Sequence, residues 1–101
     1  PRAALAEHIE GGIELAAPQI MSLAHLARHA DVASALATAR GRKPPCIRPE
    51  SYPDPGGGRL LCYPGHPRHS VPQRALPGPT CLHWRDGRFE PEGGLAALLA
   101  D

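Results

Sequence analysis

Residues 80–90 read TCLHWRDGRFE, the strongest β signal in the chain. Asp86-Gly87 suits a two-residue type I′ turn, whose twist matches that of two strands running antiparallel on either side. Placing that turn sets the register: Arg85 faces Arg88, Trp84 faces Phe89 and His83 faces Glu90. An aromatic pair next to the turn helps hold that alignment. The fold reading grows outward from this hairpin.

Upstream, CIR (46–48) and RLLCY (59–63) are short strand-like runs, separated by a long loop that ends in DPGGG. Residues 64–79 contain five prolines and two glycines and read as irregular chain. Downstream, GLAALLA (94–100) reads as a small helix, too short to be stable alone.

Before residue 41 the pattern is helical, with only two of the thirteen prolines. PRAALAEHIE (1–10) reads as a short helix with Pro1 at its first position, stopped by Gly11-Gly12. In PQIMSLAHLARHA (18–30), Ile20, Leu23, Leu26, Ala27 and Ala30 form an apolar stripe, with Ser22, His25 and His29 opposite. Asp31 then suits an N-cap for VASALATAR, where Val32, Ala35, Leu36 and Ala39 fall at helical spacing before Gly41. The expected class is α+β: two or three short helices, then short strands and β-hairpins in a Pro/Gly-rich tail. The expected divisions are a helical part over 1–41, a hairpin tail over 42–93 and a terminal helix over 94–101. No internal repeat is visible.

Hydrophobic residues make up 42%, but sixteen of them are Ala and only four residues are Trp, Tyr or Phe. Ala buries little area, so core material is scarce, and a marginal domain or one leaning on further protein is expected. The net charge is +1 with no run of either sign, which gives no electrostatic footprint for nucleic acid. Lys43 is the single Lys, and the Arg, Ala, Gly and Pro bias reads as codon usage rather than an arginine-based function. Three scattered cysteines make no secreted disulfide framework, so a cytoplasmic setting is expected. No apolar run reaches the length of a membrane span, and there is no signal-peptide pattern. The chain opens on Pro1 rather than Met, as expected of a piece of something longer.

Several groups of residues invite a chemical reading. Cys62, His66 and His69 stand at C-x3-H-x2-H spacing and, joined by Cys81 or His83, offer four soft ligands for zinc. Against this, the tight Cys hairpin usual in such sites is missing, and Pro64 and Pro67 stiffen the segment. The preferred reading is a proline-rich turn; Cys62, His66, His69 and His83 remain the alternative metal set. His25 and His29 are four apart, but Leu26 stands where a zincin has its Glu, and solvent-facing histidines are expected. Glu7, Glu10 and Glu14 are split by Gly11-Gly12 and make no shared carboxylate face. No serine has a nucleophile-elbow context, and DPGGGRL lacks the Lys-Ser/Thr of a phosphate loop. No catalytic or cofactor-binding residue is assigned.

The order of pieces resembles the C-terminal portion of Nudix hydrolases of the coenzyme A diphosphatase-like branch. The cues are Pro1 with Ala4-Leu5, Gly12-Ile13 and Leu15, Ala17-Pro18-Gln19, and Leu23/Leu26. Beyond them DVASALATARGR, PPCIRPE and GGRLLCYPGHPRH are similar to the following helix, strand and Pro-Gly-Asp-Pro turn of that branch, with His66 in place of the Asp. The resemblance covers roughly residues 1–70. It implies the last part of an α/β/α sandwich, severed from a parent that cleaves a diphosphate linkage in a nucleoside diphosphate derivative such as coenzyme A or an acyl-coenzyme A. The family's metal, Mg²⁺ or Mn²⁺, is held by glutamates of the Nudix box. No Arg-Glu-x-x-Glu-Glu occurs here, so the chain itself is expected to be inert and to hold no cofactor. The Ile20/Leu23/Leu26/Ala27 face is then expected to pack on the missing part of the domain or on a partner. The alternative from a different class is a small metal-binding or protein-interaction module centred on residues 46–90.

Overall fold

Asp86 and Gly87 do take positive φ, 53° and 75°, and Asp86 is the only non-glycine residue in that region of backbone space among the described residues. Both values are what a type I′ turn requires. The computed structural model describes residues 1–100. In it the turn joins β3 (Cys81–Arg85) to β4 (Arg88–Pro91), with the expected pairs Arg85–Arg88, Trp84–Phe89 and His83–Glu90. The two aromatic rings meet at 4.6 Å between centroids, tilted by 58°.

Two further strands extend this hairpin into a four-stranded antiparallel sheet in sequence order. β2 (Arg59–Cys62) pairs with β3, placing Leu60 against His83 and Cys62 against Cys81. β1 (Glu50–Pro53) pairs with β2. The first strand is therefore not CIR. Pro49 has no N–H for a ladder, so pairing starts only at Glu50. Both outer strands end in proline, which suits edges that must not recruit another chain. The β1–β2 connection passes against β3: a Cβ placed on Gly58 (φ +76°) would lie 2.1 Å from the Trp84 carbonyl oxygen.

Among the described residues, four helices accompany the sheet. α1 (Arg2–Glu10) ends on Gly11 in the left-handed region. The Gly11 and Gly12 amides close the last turn on the His8 and Glu7 carbonyls. α2 (Ala17–Leu26) carries Pro18 in its first turn, and Gln19 reaches back to accept from the Ala16 amide. α3 (Val32–Arg40) is capped by Asp31, whose carboxylate accepts from Ser34 N–H at 2.8 Å. α4 (Gly94–Leu99) closes the chain. Among the described residues no helix is long and apolar enough to cross a membrane.

The main core joins these helices to one sheet face. Leu5, Ile20, Leu82 and Leu98 are fully enclosed, with Met21, Ala24 and Tyr63 beside them and Leu61 and Phe89 packed against them. The buried side of α2 is thus Ala17, Ile20, Met21, Ala24 and Ala27, rotated from the expected stripe. Leu23 is half-buried, and Leu26 and Ala30 are exposed. Ile20 and Ala27, expected to await missing protein, are covered by this chain's own core. α3 differs more: Val32 and Leu36 stay exposed and none of its residues is buried. Its Ala35 and Ala39 line a cleft with Leu26 and Leu76 rather than the core.

The layers are joined by a residue that hydrophobic periodicity does not select. His8, fully buried on α1, has its Nε2 2.7 Å from the Phe89 carbonyl of β4. Its Nδ1 accepts from Leu15 N–H at 3.0 Å, so Nε2 carries the proton and donates. Arg88 adds a hydrogen bond to the His8 carbonyl.

Replacing His8 by Leu keeps bulk but strands the Phe89 carbonyl and the Leu15 amide. At about 1–3 kcal/mol for each buried group left unpaired, we expect a loss of roughly 2 kcal/mol or more. Urea denaturation reads this as a lower midpoint at unchanged slope; an unchanged midpoint refutes the assigned role. Gly58→Ala combines positive φ with a backbone clash, and we expect it to cost about 1–3 kcal/mol, whereas Gly57→Ala, with open space around it, costs less.

Candidate functional site

The sheet face turned away from the main core carries the chemistry. Strand alternation puts Tyr52, Leu60, Cys62, Cys81 and His83 on this face, with Asp54 rising from the β1–β2 turn. Leu60, Cys62 and Cys81 form a small second core that Tyr52 borders.

Asp54 is the anchor of the polar part. Its Oδ1 accepts from Gly56 N–H at 3.0 Å, a local turn closure. Its Oδ2 lies 2.5 Å from His83 Nδ1 and 3.1 Å from Arg85 Nη2. The hydrogen bond from His83 is the main cause that lowers the Asp54 carboxyl to about 2, with Gly56 and Arg85 contributing. An ionised carboxylate only accepts, so at 2.5 Å His83 Nδ1 must carry the proton. Nε2 is the ring nitrogen that this bond leaves uncommitted.

Cys81 is buried, and its Sγ donates to Glu92 Oε2 at 3.3 Å. Burial pushes this thiol up to about 12, and Glu92 adds to the rise. Continuing the β3–β4 register by one residue places Glu92 across from Cys81. Cys81, a ring nitrogen of His83 and a Glu92 oxygen all lie within 4.8 Å of one another. They form the one such His/Cys/Asp/Glu group of three or more among the described residues. Cys81 and Glu92 line an open cleft of about 390 Å³ with Arg74 and Thr80.

The alternative ligand set does not assemble. His69 is buried, with Nε2 2.7 Å from the Arg48 carbonyl and Nδ1 accepting from Val71 N–H at 2.9 Å. Both of its nitrogens are occupied by backbone. His66 Nδ1 accepts from Arg68 N–H at 3.1 Å, another local turn contact. Cys62 sits in the second core opposite Cys81, and burial raises its pKa. CYPGHPRHS is therefore a folded turn. Glu50 secures it by accepting from the Ser70 amide at 2.9 Å and its hydroxyl at 2.5 Å, and from Tyr52 Oη at 2.9 Å. Arg68 stacks 4.4 Å above the Tyr52 ring.

Other sequence candidates separate as well. His25 is in α2 but His29 lies beyond its end, bonded to Ser34 Oγ at 2.9 Å. Their rings stand 5.7 Å apart, and burial followed by Arg42, His29 and Arg28 lowers the His25 pKa. Glu7 and Glu10 are on α1, with Glu14 past the Gly11 break. Cys46, Cys62 and Cys81 are free thiols. Sequence reasoning named Cys81 and His83 only as additions to the wrong partners. Glu92 was missed, although extending the hairpin register by two residues would have found it, whereas no sequence signal placed Asp54 against His83.

No protein-family model, curated protein or solved structure matches the chain.

The Glu50 clamp sets a pH dependence. The Ser70 hydroxyl is the largest cause that holds the Glu50 carboxyl below its ordinary value of 4.5. A depressed folded-state pKa means the contribution is present above the ordinary value and lost as pH falls through the depressed one. Glu50→Gln should therefore melt below the parent at pH 7, with the gap closing as pH falls below the ordinary value of 4.5 and through the depressed one. A gap that persists undiminished in acid would refute the charged clamp.

Proposed function

We propose that this chain is the C-terminal part of a Nudix-type diphosphohydrolase and that it builds no reaction centre of its own. The observation that carries the reading is order. The resemblance cues recur along the chain in the sequence in which that family's tail has them, and those read as helices fall on α1, α2 and α3, whereas PPCIRPE reaches a strand only at Glu50. Pro1 to Gly11 is α1 and its cap, and Ala17-Pro18-Gln19 opens α2. DVASALATARGR spans α3, and GGRLL leads through β2 to the Pro64-Gly65 turn.

In the parent, Mg²⁺ or Mn²⁺ bound to the Nudix box would stabilise charge on the diphosphate while a water attacks phosphorus. The substrate class is a nucleoside diphosphate derivative, with coenzyme A and acyl-coenzyme A as the first to try. This chain's part is structural: its own core is closed by Ile20 and Ala27, and the uncovered apolar side chains Leu26, Val32 and Leu36 would face the remainder of the parent or a partner.

Two measurements test this. Sequencing the encoding DNA upstream of Pro1 should find G-x5-E-x7-R-E-x2-E-E-x-G in frame within about one domain length, roughly 100–150 residues. The chain alone with Mg²⁺ should leave coenzyme A intact, while the longer product hydrolyses it. A start codon directly before Pro1 with no such box overturns the proposal.

A further inference from the structure

We infer that Cys81, His83 and Glu92 form a zinc site on the open face of the sheet, with Asp54 as its positioning residue. The inference is independent of the hydrolase reading, since the three ligands Cys81, His83 and Glu92 lie beyond the residues that the resemblance covers.

Three observations support it. The donor atoms already converge. A tetrahedral zinc with Zn–S of about 2.3 Å and Zn–O of about 2.1 Å needs its sulfur and oxygen roughly 3.6 Å apart. Cys81 Sγ and Glu92 Oε2 stand 3.3 Å apart, and a His83 nitrogen lies within 4.8 Å of both. Side-chain movement closes the third ligand distance, and His83, only two residues from Cys81 on the same strand face, can supply it.

The second observation is orientation. Metal-bound histidines commonly donate their other ring N–H to a carboxylate, which fixes the tautomer and raises the basicity of the ligating nitrogen. Asp54 Oδ2 accepts the hydrogen bond from His83 Nδ1–H at 2.5 Å, which leaves Nε2 as the ring nitrogen able to ligate. A hydrogen bond between Cys81 and Glu92 has no need of that arrangement, whereas a zinc site does.

The third is access and charge. Glu92 is exposed and the cleft it lines with Cys81 is open, so an ion has an entry path and water a fourth position. Arg74 lines the same cleft, and Arg85 Nη2 approaches His83 Nδ1 at 3.3 Å. Arg85 is paired with Asp54, and the Arg74 guanidinium is bonded to the Gly78 carbonyl. In the ion-free state the Cys81 proton bridges to Glu92; zinc takes its place, forming the S–Zn bond and releasing that proton to solvent. Thiolate, imidazole and carboxylate together suit Zn²⁺ better than Mg²⁺ or Ca²⁺.

The test titrates Co²⁺ as an optical probe into the reduced, chelator-stripped chain, then displaces it with Zn²⁺. One equivalent should bind with a thiolate-to-cobalt charge-transfer band. Cys81→Ser should remove the band, and Glu92→Gln should weaken binding by at least about 10-fold. Asp54→Asn should weaken it about 10–100-fold, the range for second-shell partners. Cys46→Ser and His66→Gln should bind like the parent. Glu92 is exposed, so its variant folds, and circular dichroism of each variant checks this. No stoichiometric band overturns the site, as does a band that survives Cys81→Ser or binding unchanged in both Glu92→Gln and His83→Gln.

Discussion

The two layers of this small protein are held in place by one buried imidazole. His8 sits on the second turn of α1, sealed from solvent, and gives Nε2–H to β4 while taking the Leu15 amide on Nδ1. A leucine there would bury as well but would leave two backbone groups unpaired in the interior, a cost comparable to that of losing a core side chain. The bond also fixes the distance between the start of the helical layer and the outer strand. Leu5 and Leu98, one from each end of the chain, can then meet Ile20 and Leu82 in a single core.

With that junction made, the sheet has two unlike faces. The face toward the helices carries Leu61, Leu82 and Phe89 and closes the core. The other carries thiols, an imidazole and carboxylates in cross-strand rows, because a strand's period of two sends Cys81 and His83 to the same side. The tight β1–β2 turn then swings Asp54 over that row. A core made largely of alanine and leucine leaves little hydrophobic surplus, so backbone-satisfying side chains carry much of the specification here: His8, His69, Glu50, Asp54 and Asp31. Each holds a backbone amide or carbonyl that would otherwise need water.

Much of the local structure was legible beforehand. The Asp-Gly turn, the Trp84–Phe89 register, the Asp31 cap and the Gly11 stop each depend on a few neighbouring residues and came out as expected. The first strand was misplaced by a few residues because apolar content in CIR outweighed the missing N–H of Pro49. The stripe on α2 was rotated for a subtler reason. Leu23 and Leu26 are larger than Ala17 and Ala24, but the close approach of α1 and α4 favours the small residues on the buried side. For α3, the amphipathic pattern shows a helix, and the structure leaves its Val32 and Leu36 exposed, since periodicity shows that a face exists and not that anything covers it.

The sequence by itself determined the turns, caps and strand register, since these rest on φ preferences and side chain-to-backbone hydrogen bonds spanning a few residues. A known turn and a period of two would also have sufficed to put Cys81, His83 and Glu92 on one side of the hairpin, but Glu92 was not singled out. Only the tertiary structure decided that His8 is interior, that both nitrogens of His69 are spent on backbone, and that Asp54 meets His83 across 29 residues. Those contacts depend on where separate elements come to rest, and hydrogen-bond partners that far apart leave no local pattern to read.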